Sequence, residues 1–221
     1  RNEGNDHLYV DYADGTLNIE GNGGADIMYF KDYTATVDIK THDGSDQIYI
    51  GSARGMTTID SGVDDDFIYI RGNSGTGIVS VITGTGNDFI EIGASANWHA
   101  AAGTFSVNND GNLDFILADI FIEAGAHSIG DTLNINDSAN TADRDYVIAN
   151  NPASDEDVVN FGTVGTGGAV VTLTYKEIEA VDYNLGSGDD RVIIKSADST
   201  MVTTIHGNDG DDTFTLTDDA N

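Results

Sequence analysis

Aspartate recurs in this chain at a nearly fixed place, behind glycine and asparagine and ahead of a short apolar run. GNGGAD from Gly21, TGTGND from Thr83, LGSGDD from Leu185 and GNDGDD from Gly207 are the clearest cases. The anchoring aspartates are Asp6, Asp26, Asp46, Asp66, Asp88, Asp114, Asp190 and Asp212, and the first steps between them are 20, 20, 20, 22 and 26 residues. Small residues allow tight turns with positive φ, and carboxylates beside exposed carbonyls make an oxygen-rich surface suited to a hard cation.

The charge balance points the same way. Thirty-eight Asp and Glu stand against nine Lys and Arg, a formal net charge of −29. Such a chain repels nucleic acid and anionic membrane, and it repels itself when compact. Bound divalent cations offset that repulsion directly, and a high-salt habitat offsets it by screening. There is no cysteine, so thiolate metal sites and disulfides are excluded. No apolar stretch approaches the length of a membrane span.

The elements that must position these turns follow from the repeat. Each copy has an apolar residue, six turn-type residues, Asp, then two apolar residues at alternate positions, as in IEGNGGADIMYF from Ile19, IKTHDGSDQIYI from Ile39, IDSGVDDDFIYI from Ile59, VITGTGNDFIEI from Val81 and VNNDGNLDFILA from Val107. Alternation is the strand period, and strands this short bury an interior only by stacking on their neighbours. The expected inward ladders are Ile19, Ile39, Ile59, Val81, Val107; Leu8, Met28, Ile48, Ile68, Ile90, Ile116; and Val10, Phe30, Ile50, Ile70, Ile92. The fold class expected is all-β, a right-handed parallel β-solenoid with coils of about 20 residues. It forms a single unit: regular coils over 1–118, irregular or widened coils with loops over 119–180, and regular coils over 181–221, both ends interrupting a repeat.

GNDGDDTFT from Gly207, GNGGADIMY from Gly21 and TGTGNDFIE from Thr83 resemble the haemolysin-type or RTX calcium-binding nonapeptide, G-G-x-G-x-D-x-U-x with U a large apolar residue. The resemblance implies Ca2+ held by the motif-final Asp26, Asp46, Asp66, Asp88, Asp114, Asp190 and Asp212, with Asp43, Asp64 and Asp209 inside the turns as further ligands. That family pairs two nonapeptides per coil, whereas here only one edge carries the motif. THDGSD and SGVDDD are degenerate, and an acidic solenoid closed by Asx hydrogen bonds without metal is the competing reading. More loosely, NDSANTADRDYVI from Asn136 and TYKEIEAVDYNLGSGDDRVII from Thr174 resemble segments of very large bacterial surface proteins.

Tyr9, Tyr29, Tyr49 and Tyr69 occupy one outward position in consecutive copies, with Phe67 and Phe89 beside them. They stiffen the sheet by stacking, or they form a partner-binding face for a neighbouring copy or a glycan. His7, His42, His99, His127 and His206 never reach metal-ligand spacing, and Trp98 with His99 lies in a longer turn that contacts a partner or covers one side of a coil. Basic residues are scattered, with no cluster beside paired carboxylates, so no catalytic residue is assigned. The function expected is a calcium-binding structural segment of a secreted adhesin, surface-layer or filament protein. Its partners are neighbouring coils or further copies, end to end or lateral. The alternative is a polysaccharide-active β-helix enzyme or a carbohydrate-binding module using the Tyr/Phe face.

Overall fold

In a computed structural model the protein is all-β, and residues 4–125, 130–151, 154, 156–163, 170–197 and 199–217 are described. His127, Pro152 and most of the glycine-rich segment 162–168 lie outside them. Among the described residues no helix is long and apolar enough to cross a membrane.

The chain passes alternately through two long sheets. Sheet one holds β1 (His7–Ala13), β3 (Ile27–Tyr33), β5 (Gln47–Ile50), β7 (Phe67–Ile70), β9 (Phe89–Ile92), β13 (Thr132–Asn136), β17 (Ala180–Asn184) and β19 (Val202–His206), all parallel and in that order. Sheet two begins with β2 (Thr16–Glu20), β4 (Thr36–Lys40), β6 (Thr57–Asp60), β8 (Val79–Ile82) and β12 (Ile120–Glu123), again parallel. Columns of single bridges, Gly23–Asp43–Val63–Thr85 and Tyr33–Ala53–Asn73–Ile116, stack the two kinds of turn as well.

Register follows the apolar spacing. Leu8, Met28, Ile48, Ile68 and Ile90 are partners in one ladder, and Val10, Phe30, Ile50, Ile70 and Ile92 in the next. From Met28 and Phe30 onward these side chains are fully or almost fully buried, facing Ile39, Ile59 and Val81 of sheet two. A slip of one residue would turn every one of them outward, so burial fixes the register. Thr57 stands in an inward position between Val37 and Val79, and its hydroxyl is satisfied by Tyr33 Oη at 2.7 Å.

The copy expected at Val107 is not one. After β9 the chain forms an antiparallel hairpin, β10 (Ser95–His99) and β11 (Thr104–Asn108), then a 3-10 turn over Leu113–Phe115. The ladders continue instead through the segment from Ile120: Ile122 pairs with Val81, where Val107 was expected, and Leu133 pairs with Ile90, where Ile116 was expected. Ile116 bridges Asn73 at the plain turn. A second excursion completes sheet two. β14 (Arg144–Asn151), β15 (Glu156–Thr163) and β16 (Val171–Lys176) run antiparallel, and β16 joins β12 while β14 joins β18 (Arg191–Ile194) and then β20 (Thr213–Leu216). Sheet two therefore has 10 strands against 8 in sheet one.

The hairpin decides the fate of the aromatic rank. Tyr9, Tyr29 and Tyr49 stack along the sheet, with centroids 5.5 and 4.6 Å apart, and Trp98 and Phe105 of the hairpin lie over them. Tyr29 Oη donates to Ala96 O, and Tyr29 and Tyr49 are buried. Tyr69 packs against Phe105 and Phe89, while Tyr9 and Phe67 stay partly exposed. The face read as partner-binding is thus largely covered by the chain's own hairpin, because tyrosines stacked in register present a flat apolar surface that Trp98 and Phe105 can bury. Phe105→Ala should cost about 3 kcal/mol, measured by urea unfolding. Hydrogen-exchange protection should fall along 95–108, with the ladder from Ile48 to Ile90 unaffected.

Candidate cation column

Two left-handed positions shape the turns before Asp26, Asp46, Asp66, Asp88 and Asp212. Asn22, His42, Gly62, Gly84 and Asn208 hold the first, and Gly24, Gly44, Asp64, Gly86 and Gly210 the second. The second position also lies against the preceding turn: a Cβ on Gly44 would overlap Gly24 O, and one on Gly86 would overlap Asp64 O. Glycine therefore suits that position for close stacking as well as for φ, and it occupies it in four of these five turns, Asp64 taking it in the other.

The motif-final aspartate closes the turn from inside. Asp26 Oδ1 accepts the N–H of Asp6 at 2.8 Å, Asp46 Oδ1 that of Asp26 at 2.7 Å, Asp66 Oδ1 that of Asp46 at 2.9 Å, and Asp88 Oδ1 that of Asp66 at 2.9 Å. The column continues to Asp131, which takes the Asp88 N–H at 2.8 Å, and ends on Glu179, whose Oε2 takes the Asp131 N–H at 2.9 Å. Sequence reasoning missed both. The turn before Asp131 is two residues longer than its neighbours, and Glu179 has no glycine pattern ahead of it. A second ladder runs the opposite way one residue earlier: Asn5 Oδ1 accepts from Ala25 N, Asp65 Oδ1 from Asn87 N, Asp143 Oδ1 from Asp189 N and Asp189 Oδ1 from Asp211 N.

Asp190 and Asp212 form their own column, with Asp190 Oδ1 accepting from Arg144 N and Asp212 Oδ1 from Asp190 N. It is on the other edge. Up to Asp131 the Gly/Asp turn leads from sheet two into sheet one, whereas the turns before β14, β18 and β20 lead from sheet one into sheet two. The expectation of a motif on one edge only therefore holds for each half and fails for the whole: from the turn before β14 onward the motif lies on the edge that leads from sheet one into sheet two.

Asp114 belongs to neither column. It is exposed on the 3-10 turn and paired with Arg144 and Asn140, a place dictated by the hairpin that displaces its segment from the repeat. Asp43, Asp64 and Asp209 are exposed at the turn surface rather than turned into the column. His42 pairs with Glu20 at 2.6 Å. Among the described residues no three His, Asp or Glu side chains gather around one point.

The column's distinctive feature is what remains unpaired. Asp26, Asp46, Asp66, Asp88 and Asp190 are at most 2% exposed, and each has Oδ2 buried without a hydrogen-bond partner. The hydroxyls beside the central three spend their protons elsewhere: Thr41 Oγ1 donates to Ser61 O, Ser61 Oγ to Thr83 O and Thr83 Oγ1 to Ala124 O. A Cβ on Gly21 would overlap Asp26 Oδ2, so that oxygen lies directly over the turn backbone. Repeats stacked about 4.8 Å apart bring ionised carboxylates close enough to repel by about 3 kcal/mol per neighbouring pair at an effective dielectric near 20. Burial, with smaller contributions from neighbouring carboxylates, accordingly pushes Asp46 up to about 6 and Asp66 up to about 7. Burial raises Asp26, Asp88 and Asp190 as well.

No protein-family model, curated protein or solved structure matches this chain.

The raised values fix the sign of the pH response in chelator. Between the unfolded aspartate value, about 3.9, and the folded values the native state holds more protons than the unfolded chain, so stability falls as pH rises through this window. The melting temperature in chelator should therefore be higher at about pH 5 than at about pH 8. Asp46→Asn with Asp66→Asn should flatten that slope, a comparison read by scanning calorimetry.

Proposed function

We propose that this chain is a calcium-binding structural segment of an extracellular adhesin, surface-layer or filament protein, wound as a right-handed parallel β-solenoid that calcium stiffens. The observation that carries the reading is the row of buried aspartate Oδ2 atoms without partners. A buried carboxylate oxygen without a partner is costly, and five such atoms in two stacked columns call for a compensating charge. The net charge of −29 asks for the same thing on the scale of the whole chain.

The donor set suits calcium better than a softer ion. Asp26, Asp46, Asp66, Asp88 and Asp190 would hold it with oxygens of the turn backbone and, in the central turns, the hydroxyls of Thr41, Ser61 and Thr83. Bound there, the ion would supply positive charge between successive carboxylates. Each turn offers few carboxylates, which puts affinity at the weak end of calcium sites, about 10⁻⁴–10⁻³ M, the range of extracellular modules. In a calcium-poor cytosol the acidic turns would repel, and outside the cell binding would tie the repeats together. The chain's own residues meanwhile supply the frame: the Oδ1 ladder fixes each carboxylate, and the apolar ladders hold the repeats in register.

Thermal unfolding followed by circular dichroism, in chelator and then in millimolar calcium, tests this. A melting-temperature gain of at least about 5 °C with calcium, unmatched by magnesium or sodium, is expected. Asp66→Asn retains the Oδ1 acceptor and replaces the bare oxygen by an amide. It should melt higher than the wild type in chelator and gain less from calcium. A wild type indifferent to calcium would leave an acidic solenoid closed by hydrogen bonds alone.

A further inference from the structure

Asp137 is buried as deeply as Asp88, at 1% exposure, yet its carboxylate is fully engaged. Oδ1 accepts the Leu113 N–H at 2.7 Å, as the ladder aspartates accept theirs. Oδ2 takes Tyr146 Oη at 2.8 Å and Asn140 Nδ2 at 3.2 Å, and Arg144 Nε stands 2.6 Å away. Arg144 is itself 4% exposed and holds Asp114 through Nη2.

Arg144 reaches these carboxylates from a ladder position. Asp145, Arg191 and Thr213 are in register, so the residues before them, Arg144, Asp190 and Asp212, share one place in successive turns. The Arg144 N–H donates to Asp190 Oδ1 at 2.8 Å just as the Asp190 N–H donates to Asp212 Oδ1. Where the next two turns carry a carboxylate, this turn carries a guanidinium directed at the carboxylates in front of it. Asp190, immediately behind, is 2% exposed with Oδ2 bare. Asp114 and Asp137 thus hold the head of one buried cation whose backbone N–H is held by Asp190. Arginine suits the task because it stays charged when buried and its planar fork serves two carboxylates at once.

We infer that the Arg144 guanidinium is a covalently attached counter-cation that closes the second aspartate column, occupying a site that would otherwise take a divalent cation. The inference rests on the cation reading of the columns, and it adds that one position is built to be independent of the external ion. It implies that removing the guanidinium while retaining the carboxylates leaves Asp114 and Asp137, with Asn140 beside them, open to a calcium ion.

Calcium titration calorimetry on the wild type, Arg144→Gln and Arg144→Lys tests it, with melting temperatures in chelator and in calcium. Arg144→Gln should melt lower in chelator, bind about one more ion per chain than the wild type and gain about twofold more from calcium. Arg144→Lys should retain the wild-type stoichiometry. Unchanged stoichiometry in Arg144→Gln, with the same loss of stability at every calcium concentration, overturns the inference. If Arg144→Gln does not fold, Arg144→Ala in millimolar methylguanidinium decides: recovery of the melting transition supports a counter-cation, and no recovery overturns it. A wild type that binds no calcium beside an Arg144→Gln chain that binds it would sink the proposed function and leave this inference standing.

Discussion

The backbone N–H that closes a Gly/Asp turn finds no acceptor in its own turn, and a carboxylate in the next turn of the column supplies it. That hydrogen bond sets the rest of the structure. Its acceptor has to sit inside the turn, so Asp26, Asp46, Asp66 and Asp88 are buried, and the turn must be tight enough to pass over the one before it. Glycine at Gly24, Gly44 and Gly86 follows from that closeness rather than from flexibility. A serine or asparagine could accept the same N–H without charge, so the choice of carboxylate is what the hydrogen bond leaves unexplained, and a compensating cation explains it.

Acidity and stacking pull against each other along the columns. Parallel pairing buries the ladder from Met28 to Ile92 on one side and Val37 to Val81 on the other, a gain proportional to the number of repeats. The repulsion between neighbouring carboxylates grows with the same number. Protons relieve it in acid, as the upward displacement of Asp46 and Asp66 implies, and cations would relieve it at neutral pH. Cohesion between repeats is then set by the medium, a property that would suit the structural role proposed above.

The first five repeats were legible in the sequence because everything in them recurs together. Apolar spacing, two left-handed turn positions and the closing aspartate all return after 20 or 22 residues, and a stack of parallel strands with a two-sided core is the arrangement that keeps them aligned. The segment from Val107 imitates that pattern in composition, with an apolar residue seven before Asp114. It lacks glycine at the second left-handed position, where Asn112 adopts φ −150° and caps the 3-10 turn. The converse happened at Asp131, which stands in the column although its turn is longer and the apolar residue has moved from the expected offset to Ile122. The tyrosine rank was legible as a stack, but its cover was not, since nothing local in the segment 95–108 says that Trp98 and Phe105 fold back across Tyr29 and Tyr49. Contacts of that range come from tertiary packing.

The change of edge midway has a physical logic of its own. Had the motif stayed on one edge, the buried aspartates would form one column, each new member adding repulsion to its neighbours. The excursion through β14, β15 and β16 adds two strands to sheet two alone and returns the chain through the Glu179 turn on the first edge, the motif having moved to the opposite edge at the turn before β14. Column one then stops at Glu179, whose longer side chain is only half-buried and can shed part of its charge to water. Column two starts at Arg144, whose guanidinium meets Asp137 and Asp114 before the first bare carboxylate of that column, Asp190, is reached. Each column is shorter than a single one would be and is terminated by a residue that lowers the charge at its end. The change of edge thereby limits how far an acidic column extends before something neutralises it.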